Sequence, residues 1–424
     1  MPKKYNPFRP NQPVFTGMFA GRIAEIERLD SLLFQTQEGN PSHILIQGER
    51  GIGKTSFLIV ANHFAKGSLS WEEEKYNFLP IQVSLRPTTM IIDFAKKINT
   101  QIERTLSKSE KGLTFLKNSW GFLTRKQSSV LSLGPKQYSP LSQEELVDKT
   151  IYSIVDTVKA ITEDNTANEL GLREKRNGIV ILIDEVDQAS KSLNLGLFLK
   201  NLAEVLTQED ANKVLLILAG LPKARNILRE SHESSLRLFE EFKLSTLTKD
   251  EVESVIRGGL NEVKKEHKVI VTVSTGAIDR IYVYSEGYPH FVQQIAYSAY
   301  ALDADNNIDV ADVENAMFSE NGALDLIGDR YYKNLYYGKI KQDSYRQILD
   351  IMALKFNEWV SRKEIESVFT GKESTLTNGI KALRDRSIIL SKPGRRGLYR
   401  LQWVGFAVWI NRLNQRKQKQ KGSA

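Results

Sequence analysis

Two kinds of hydrophobic pattern alternate along this chain: short runs that are almost wholly apolar, and longer stretches in which apolar residues recur every three or four positions. His43-Ile44-Leu45-Ile46-Gln47, Phe78 to Leu85, Ile179-Val180-Ile181-Leu182-Ile183 and Val214-Leu215-Leu216-Ile217-Leu218-Ala219 are of the first kind. They read as strands covered on both faces, as in a parallel sheet. Glu241 to Leu244 is expected to add a fifth. Helical spacing runs over Ile23 to Phe34, Thr55 to Ala65, Met90 to about Thr105 and Gln143 to Thr162. Strands alternating with helices predict an α/β, doubly wound parallel-sheet core over residues 1–247. Residues 1–18, rich in Pro and Asn, read as an extended arm. Residues 107–140 keep no steady period and read as an insertion, with a hairpin near Val130 to Leu133.

After Thr248-Lys249-Asp250-Glu251, a capped helix start of the S/T-x-x-E type, the pattern turns helical and residues 248–328 are expected to form a small helical domain. Residues 329–424 then give helices over Ser344 to Phe356, Ser361 to Phe369 and Glu373 to Arg386, with a brief extended step at Trp359-Val360. Ser387-Ile388-Ile389-Leu390 and Leu398-Tyr399-Arg400-Leu401 flank the turn Lys392-Pro393-Gly394-Arg395-Arg396-Gly397, so a hairpin follows. A closing amphipathic helix spans Val404 to Leu413, and the Lys/Arg/Gln-rich tail after Asn414 is expected to be unstructured.

Charge changes this picture most at the C-terminal end. The net +8 of the whole chain divides into +13 from Asp329 onward (21 Lys/Arg against 8 Asp/Glu) and −5 before it (38 against 43). A polyanionic partner for the tail domain is expected from that asymmetry. The chain has no cysteine, which excludes disulfides, thiolate nucleophiles and cysteine-zinc sites, and suits a reducing cytoplasm. Its apolar runs reach only strand length and its first residues lack a signal-peptide core, so a cytoplasmic protein without a membrane partner is expected.

Gly48-Glu49-Arg50-Gly51-Ile52-Gly53-Lys54-Thr55 fits G-x-x-x-x-G-K-[ST] and sits between an expected strand and an expected helix, with Ser56 next on that helix. Glycines let backbone N–H groups turn inward around phosphates, and the helix N-terminus adds its positive end. Lys54 would reach the β/γ oxygens and Thr55 would ligate Mg²⁺, so ATP with Mg²⁺ is the expected ligand. A second metal-facing group should end a buried strand, because Mg²⁺ takes hard oxygen ligands. Asp184 fits that role. Glu185, one residue on, is placed to polarise the attacking water, whereas Asp187 reads as a surface or helix-capping residue.

With Phe19-Ala20-Gly21-Arg22, Glu25 to Leu29, the phosphate loop, Asp184-Glu185 and Gly287-Tyr288-Pro289 in this order, the chain resembles the AAA+ and STAND branch of P-loop ATPases. It is most similar to the archaeal-type ATPases and origin-recognition-like proteins. The resemblance implies an ASCE core, a helical lid and a C-terminal winged helix-turn-helix. It makes Phe19, Gly21 and Arg22 candidate nucleotide contacts and sets Pro289 near the adenine, with His290 where relatives often carry an arginine. A polar sensor usually follows the fourth strand in such proteins, but here the chain reads Ala219-Gly220-Leu221-Pro222. Slow, switch-like ATP hydrolysis is therefore expected. Arg237, with Arg229 as a competitor, occupies a place similar to that of the arginine a neighbouring subunit supplies, which implies a homo-oligomer.

In a DNA-binding winged helix, the helix Glu373 to Arg386 enters the major groove. Thr375, Asn378 and Lys381, at three-residue steps, are then candidate base contacts, with Lys372, Arg384, Arg395 and Arg396 on phosphates. Two functions follow: nucleotide-controlled assembly on duplex DNA, or a STAND-type signalling or antiviral-defence switch acting through a protein partner. The basic tail domain favours the first, the Gly-x-Pro of the lid the second.

Overall fold

Unbroken apolar runs come to lie where the sheet is covered on both sides. β1 (His43–Gln47), β2 (Leu79–Ser84), β3 (Ile179–Asp184), β4 (Val214–Gly220) and β5 (Phe239–Lys243) form one all-parallel sheet in the order β2-β3-β4-β1-β5. Every residue of β1, β3 and β4 is buried. The computed structural model describes residues 5–12, 21–71, 74–124, 141–355 and 358–422, with side chains to 418. Around the sheet stand α1 (Ile23–Gln37), α2 (Lys54–Ala65), α3 (Ile91–Leu106), α4 (Glu110–Trp120), α5 (Gln143–Thr162), α6 (Asp164–Glu169), α7 (Leu195–Gln208) and α8 (Ala224–Ser231). On one face Leu45, Ile81, Ile183 and Leu218 pack with Phe94 of α3, Ile154 of α5 and Phe198 of α7. Alternate residues such as Ile46 and Ile217 point the other way and are buried on the face that carries α1 and α2.

Two sequence expectations change here. The fifth strand starts two residues early, at Phe239, where Glu240 and Glu241 between buried Phe239 and Phe242 interrupt the apolar run. The stretch read as an aperiodic insertion contains α4, whose buried residues Gly112, Leu116 and Trp120 recur every four positions. Exposed Leu113 blurs that stripe in the sequence. The hairpin expected at Val130 to Leu133 lies outside the described residues.

Residues 21–245 form one compact unit, and residues 5–12 with 246–422 form another. The second begins with α9 (Lys249–His267), which Thr248 and Glu251 cap reciprocally, as their spacing requires. α10 (Thr275–Ser285), α11 (Pro289–Leu302), α12 (Val310–Phe318) and α13 (Ala323–Ile327) follow, with the two-residue parallel pair β6 (Thr272–Val273) and β7 (Asn307–Ile308). Two π-helical segments, Gly328–Tyr332 and Asn334–Lys339, lead into α14 (Asp343–Leu354). α15 (Arg362–Val368), α16 (Glu373–Asp385), the small sheet of β8 (Val360–Ser361), β9 (Ile389–Ser391) and β10 (Leu398–Leu401), and α17 (Val404–Gly422) complete a winged helix-turn-helix. One hydrophobic core runs through this unit from Phe8 to Ile410.

The arm is part of that core. Phe8 is buried edge-on to Tyr300, the Arg9 amide donates to Gln293 Oε1 at 2.8 Å, and Arg9 pairs with Glu262 at 2.6 Å. At the other end, α17 continues well past Asn414, where the sequence suggested an unstructured tail. Asn414 donates to Asp350 Oδ1 and Arg416 forks onto both oxygens of Asp325, so polar residues that look solvated in sequence have fixed partners. Gly328 admits this helix, since a Cβ there would stand 2.1 Å from the Trp409 indole nitrogen. No helix among the described residues is long and apolar enough to cross a membrane.

Candidate nucleotide site and basic winged helix

Between β1 and α2 the backbone takes left-handed conformations at Gly51 (φ 84°) and Gly53 (φ 98°), which only glycine adopts without cost. These turns leave the first N–H groups of α2 at the carboxyl edge of the sheet, as a phosphate-binding loop requires. Gly48 fits closely against Ile52 and Leu244, and a Cβ there would meet Ile52 at 2.7 Å. Glu49 and the exposed Arg50 form the outer part of the loop, while Ser56 is buried on α2. The Lys54 ammonium curls back over the loop and donates to the Gly48 and Glu49 carbonyl oxygens at 2.8 and 2.9 Å. Burial lowers its pKa, against the opposing pull of Asp184, Asp187 and Glu49.

Thr55 Oγ1 donates to Asp184 Oδ2 at 2.8 Å, bringing together two groups 129 positions apart. Asp184 Oδ1 accepts from the Glu185 amide at 2.8 Å. A hydroxyl and a carboxylate side by side are the hard-oxygen donors Mg²⁺ prefers, so these residues fit the metal. Glu185 takes a left-handed conformation (φ 57°) that turns the chain out of β3 and leaves its side chain exposed at the strand end.

Asp187 is not at the surface. It is buried, accepts from the Leu221 amide at the end of β4 (3.0 Å) and from Gln188 Nε2 (2.7 Å), and faces Lys223 Nζ at 3.4 Å. Gly220 explains how this turn approaches: a Cβ there would lie 3.2 Å from the Asp187 amide and 2.8 Å from Ala224. The glycine at a strand end was the available signal, since it marks a close approach of another backbone.

Other candidates are more dispersed. Phe19 lies outside the described residues. Gly21 and Arg22 are both left-handed, and the Arg22 guanidinium donates to the Ser245 carbonyl and stands 3.9 Å from Glu25. Arg237 precedes Phe239, which is in register with His43 at the start of β1. That puts Phe239 about 13 Å, four strand residues, from the edge where the phosphate loop begins, and Arg237 lies two residues before Phe239 in the chain. It is not gathered with Lys54 and Asp184.

In the second unit, Gly287 (φ 71°) closes against Leu247, whose carbonyl oxygen would be 2.2 Å from a Cβ. Pro289 opens α11, and His290 is 3.2 Å from Arg330 and edge-on to Tyr331. Just before this turn, Glu286 accepts from the Val404 and Gly405 amides at the start of α17, at 2.5 and 3.3 Å. Burial raises its pKa to about 7, although those amides and Arg400 oppose the shift. A raised carboxyl favours folding below its unfolded value and loses that advantage as pH climbs through the folded one. We therefore expect unfolding free energy to fall by on the order of 3 kcal/mol between about pH 4.5 and 7 from this group. Glu286→Gln should flatten that loss in urea titrations at successive pH values. An unchanged pH slope in the variant would show that Glu286 is not its source.

On the winged helix, Leu376, Gly379, Ile380 and Leu383 face the core of α16, leaving Lys372, Asn378, Lys381 and Arg384 exposed. Thr375 is half-buried, and Thr377, which sequence spacing overlooked, is exposed beside Asn378. Arg362 ties α15 to α16 by donating to Glu373 and Thr377. Arg384 pairs with Asp385 at 3.6 Å, whereas Lys372, Lys381, Arg395 and Arg396 make no ion pair among the described residues. Arg395 and Arg396 are exposed at the tip of the hairpin.

No family model matches the chain. An uncharacterised HTH-type transcriptional regulator of Methanocaldococcus jannaschii is 26% identical over 264 residues, 61% of this chain and 58% of that protein, so the match spans little more than half of the relative. The Walker-type ATPase of Pyrococcus abyssi superposes with a TM-score of 0.54 at 16% identity, covering 96% of this chain and 99% of its own. The Aeropyrum pernix ORC2 protein, in its complexes with ADPNP and ADP, gives 0.52 at 13% identity, covering 97% and 98%. At such identities the likeness is one of fold.

Proposed function

We infer, for a chain with the fold of the archaeal Walker-type and ORC-like P-loop ATPases, that it binds ATP with Mg²⁺, hydrolyses it slowly, and uses the nucleotide state to control its assembly on duplex DNA. The observation that carries the nucleotide reading is the meeting of Thr55 and Asp184 at 2.8 Å beside the folded-back Lys54. In this reading the loop amides and Lys54 hold the β- and γ-phosphates, and Thr55 and Asp184 hold Mg²⁺. The metal, when bound, neutralises charge on the phosphate oxygens. Glu185 orients a water and takes its proton as the water oxygen bonds to the γ-phosphorus and the bond to the β–γ bridging oxygen breaks. We further propose Pro289 and His290 of a lid over residues 248–328, with Phe19, Gly21 and Arg22, as adenine-side contacts.

Arg237, remote from its own chain's loop, suits a role on a neighbour's nucleotide, where an added cation stabilises the transition state. Lys54→Ala should weaken ATP binding by about ten- to a hundredfold, the worth of a charge-assisted contact. Calorimetry reads this directly, and unchanged binding would remove the phosphate-loop assignment. Mixing Lys54→Ala with Arg237→Ala should restore some hydrolysis, because one variant keeps an intact site and the other an intact arginine. No recovery in mixed oligomers would rule out the trans role.

DNA as the partner is supported by Lys372, Lys381, Arg395 and Arg396, which make no ion pair among the described residues, on one basic module. The protein-switch reading draws instead on the Gly287-Tyr288-Pro289 turn, and the two part at the DNA measurement given in the Discussion.

A further inference from the structure

The β4 end carries no polar sensor, yet the residue four positions after Ala219 brings a cation to the same edge. Lys223 is the N-cap of α8, a position that favours Ser, Thr, Asp or Asn and where a positive charge opposes the helix dipole. Its ammonium is held 3.4 Å from the buried carboxylate of Asp187, which is itself fixed by the Leu221 amide. That carboxylate belongs to the turn after β3, three residues beyond Asp184. Register places Gly220 beside Gln47, the last residue before the phosphate loop. Lys223 and Asp187 therefore stand at the carboxyl edge of the sheet, where β3, β4 and β1 end together, and Asp187 is close enough to act on the charge of Lys54. Gln47 adds a second sign that this edge is built for an added acceptor. Its side chain is buried, and its Nε2 has no hydrogen-bond partner among the described residues. A buried donor left unmatched calls for an explanation such as an acceptor that arrives with a ligand.

We propose that Lys223, poised by Asp187, is the in-chain cation that reads the terminal phosphate of ATP. The inference rests on the nucleotide reading above and supplies the sensor that Ala219-Gly220-Leu221-Pro222 lacks. Asp187 is a positioning residue: it keeps the half-exposed Lys223 side chain at the sheet edge, so that the ammonium meets the γ-phosphate without first being ordered. ADP, lacking that phosphate, leaves the Lys223–Asp187 pair intact. The pair thus distinguishes the two nucleotides within one chain.

The test is calorimetry of the full chain with adenylyl imidodiphosphate and with ADP, both with Mg²⁺. Lys223→Ala should weaken the triphosphate analogue by about ten- to a hundredfold while ADP affinity and melting temperature hold. Lys223→Arg should recover part of the loss. Asp187→Asn, which keeps an acceptor for Leu221 but frees the lysine, should narrow the triphosphate-to-diphosphate ratio without abolishing ADP binding. If the ratio in Lys223→Ala equals that of the wild type, the sensor role is overturned while the nucleotide reading stands. If the wild-type chain binds neither nucleotide, both fall.

Discussion

Glu185→Gln is expected to bind ATP and keep it, with phosphate release slowed by about a hundred- to ten-thousandfold, the usual contribution of a positioned general base. The substitution preserves shape and leaves the Thr55–Asp184 pair and the Lys54 contacts in place, so affinity should change little. Glutamine also tolerates the left-handed backbone at this position as well as glutamate does. Phosphate release followed alongside retention of labelled ATP separates the two steps. Wild-type turnover in the variant would mean that another group activates the water. Because the side chain is exposed at the end of β3 rather than engaged in the core, a loss of activity through misfolding is not expected.

The other large effect concerns salt. If the winged helix neutralises roughly five phosphates, the slope of log K against log salt should be near −4.5, so duplex affinity falls by several hundredfold between about 50 and 200 mM salt. Removing Arg395 and Arg396 together should flatten the slope by about one to two phosphate equivalents while leaving site preference alone. Changes at Asn378 or Lys381 should alter preference instead, because base edges are read from the groove by helix side chains. Fluorescence anisotropy of the full chain at several salt concentrations checks all three. A folded chain that binds no duplex at low salt would reject the DNA reading and favour a protein partner.

Strands buried on both faces and the glycine-rich loop were legible in the sequence because each depends on local chemistry. His43–Gln47 reads as a short covered strand, and Gly48, Gly51 and Gly53 after it as a tight turn before α2. The fifth strand, α4 and the end of α17 were less legible, since they are fixed by partners distant in sequence: Phe239 by β1, Trp120 by α5 through Thr157, Arg416 by Asp325. Asp187 was misread for the same reason. An acid two residues past Asp184-Glu185 looks solvated until the β4 end closes over it. Half-burial of Thr375 shows a finer limit: three-residue steps drift around a helix, so Thr375 and Lys381 cannot be equally exposed.

Phe8 and Arg9 seat themselves on α9 and α11, and the bond from the Arg9 amide to Gln293 spans 284 positions. At ribosomal rates of about 5 to 20 residues per second, roughly 15 to 60 s pass between synthesis of the arm and synthesis of its partners. For most of that interval the sheet unit, residues 21–245, is being made between the two halves of another unit. The helical unit is thus discontinuous in the chain, and its folding cannot be completed in strict order of synthesis. The arm must wait, with a phenylalanine uncovered, until α11 has left the ribosome.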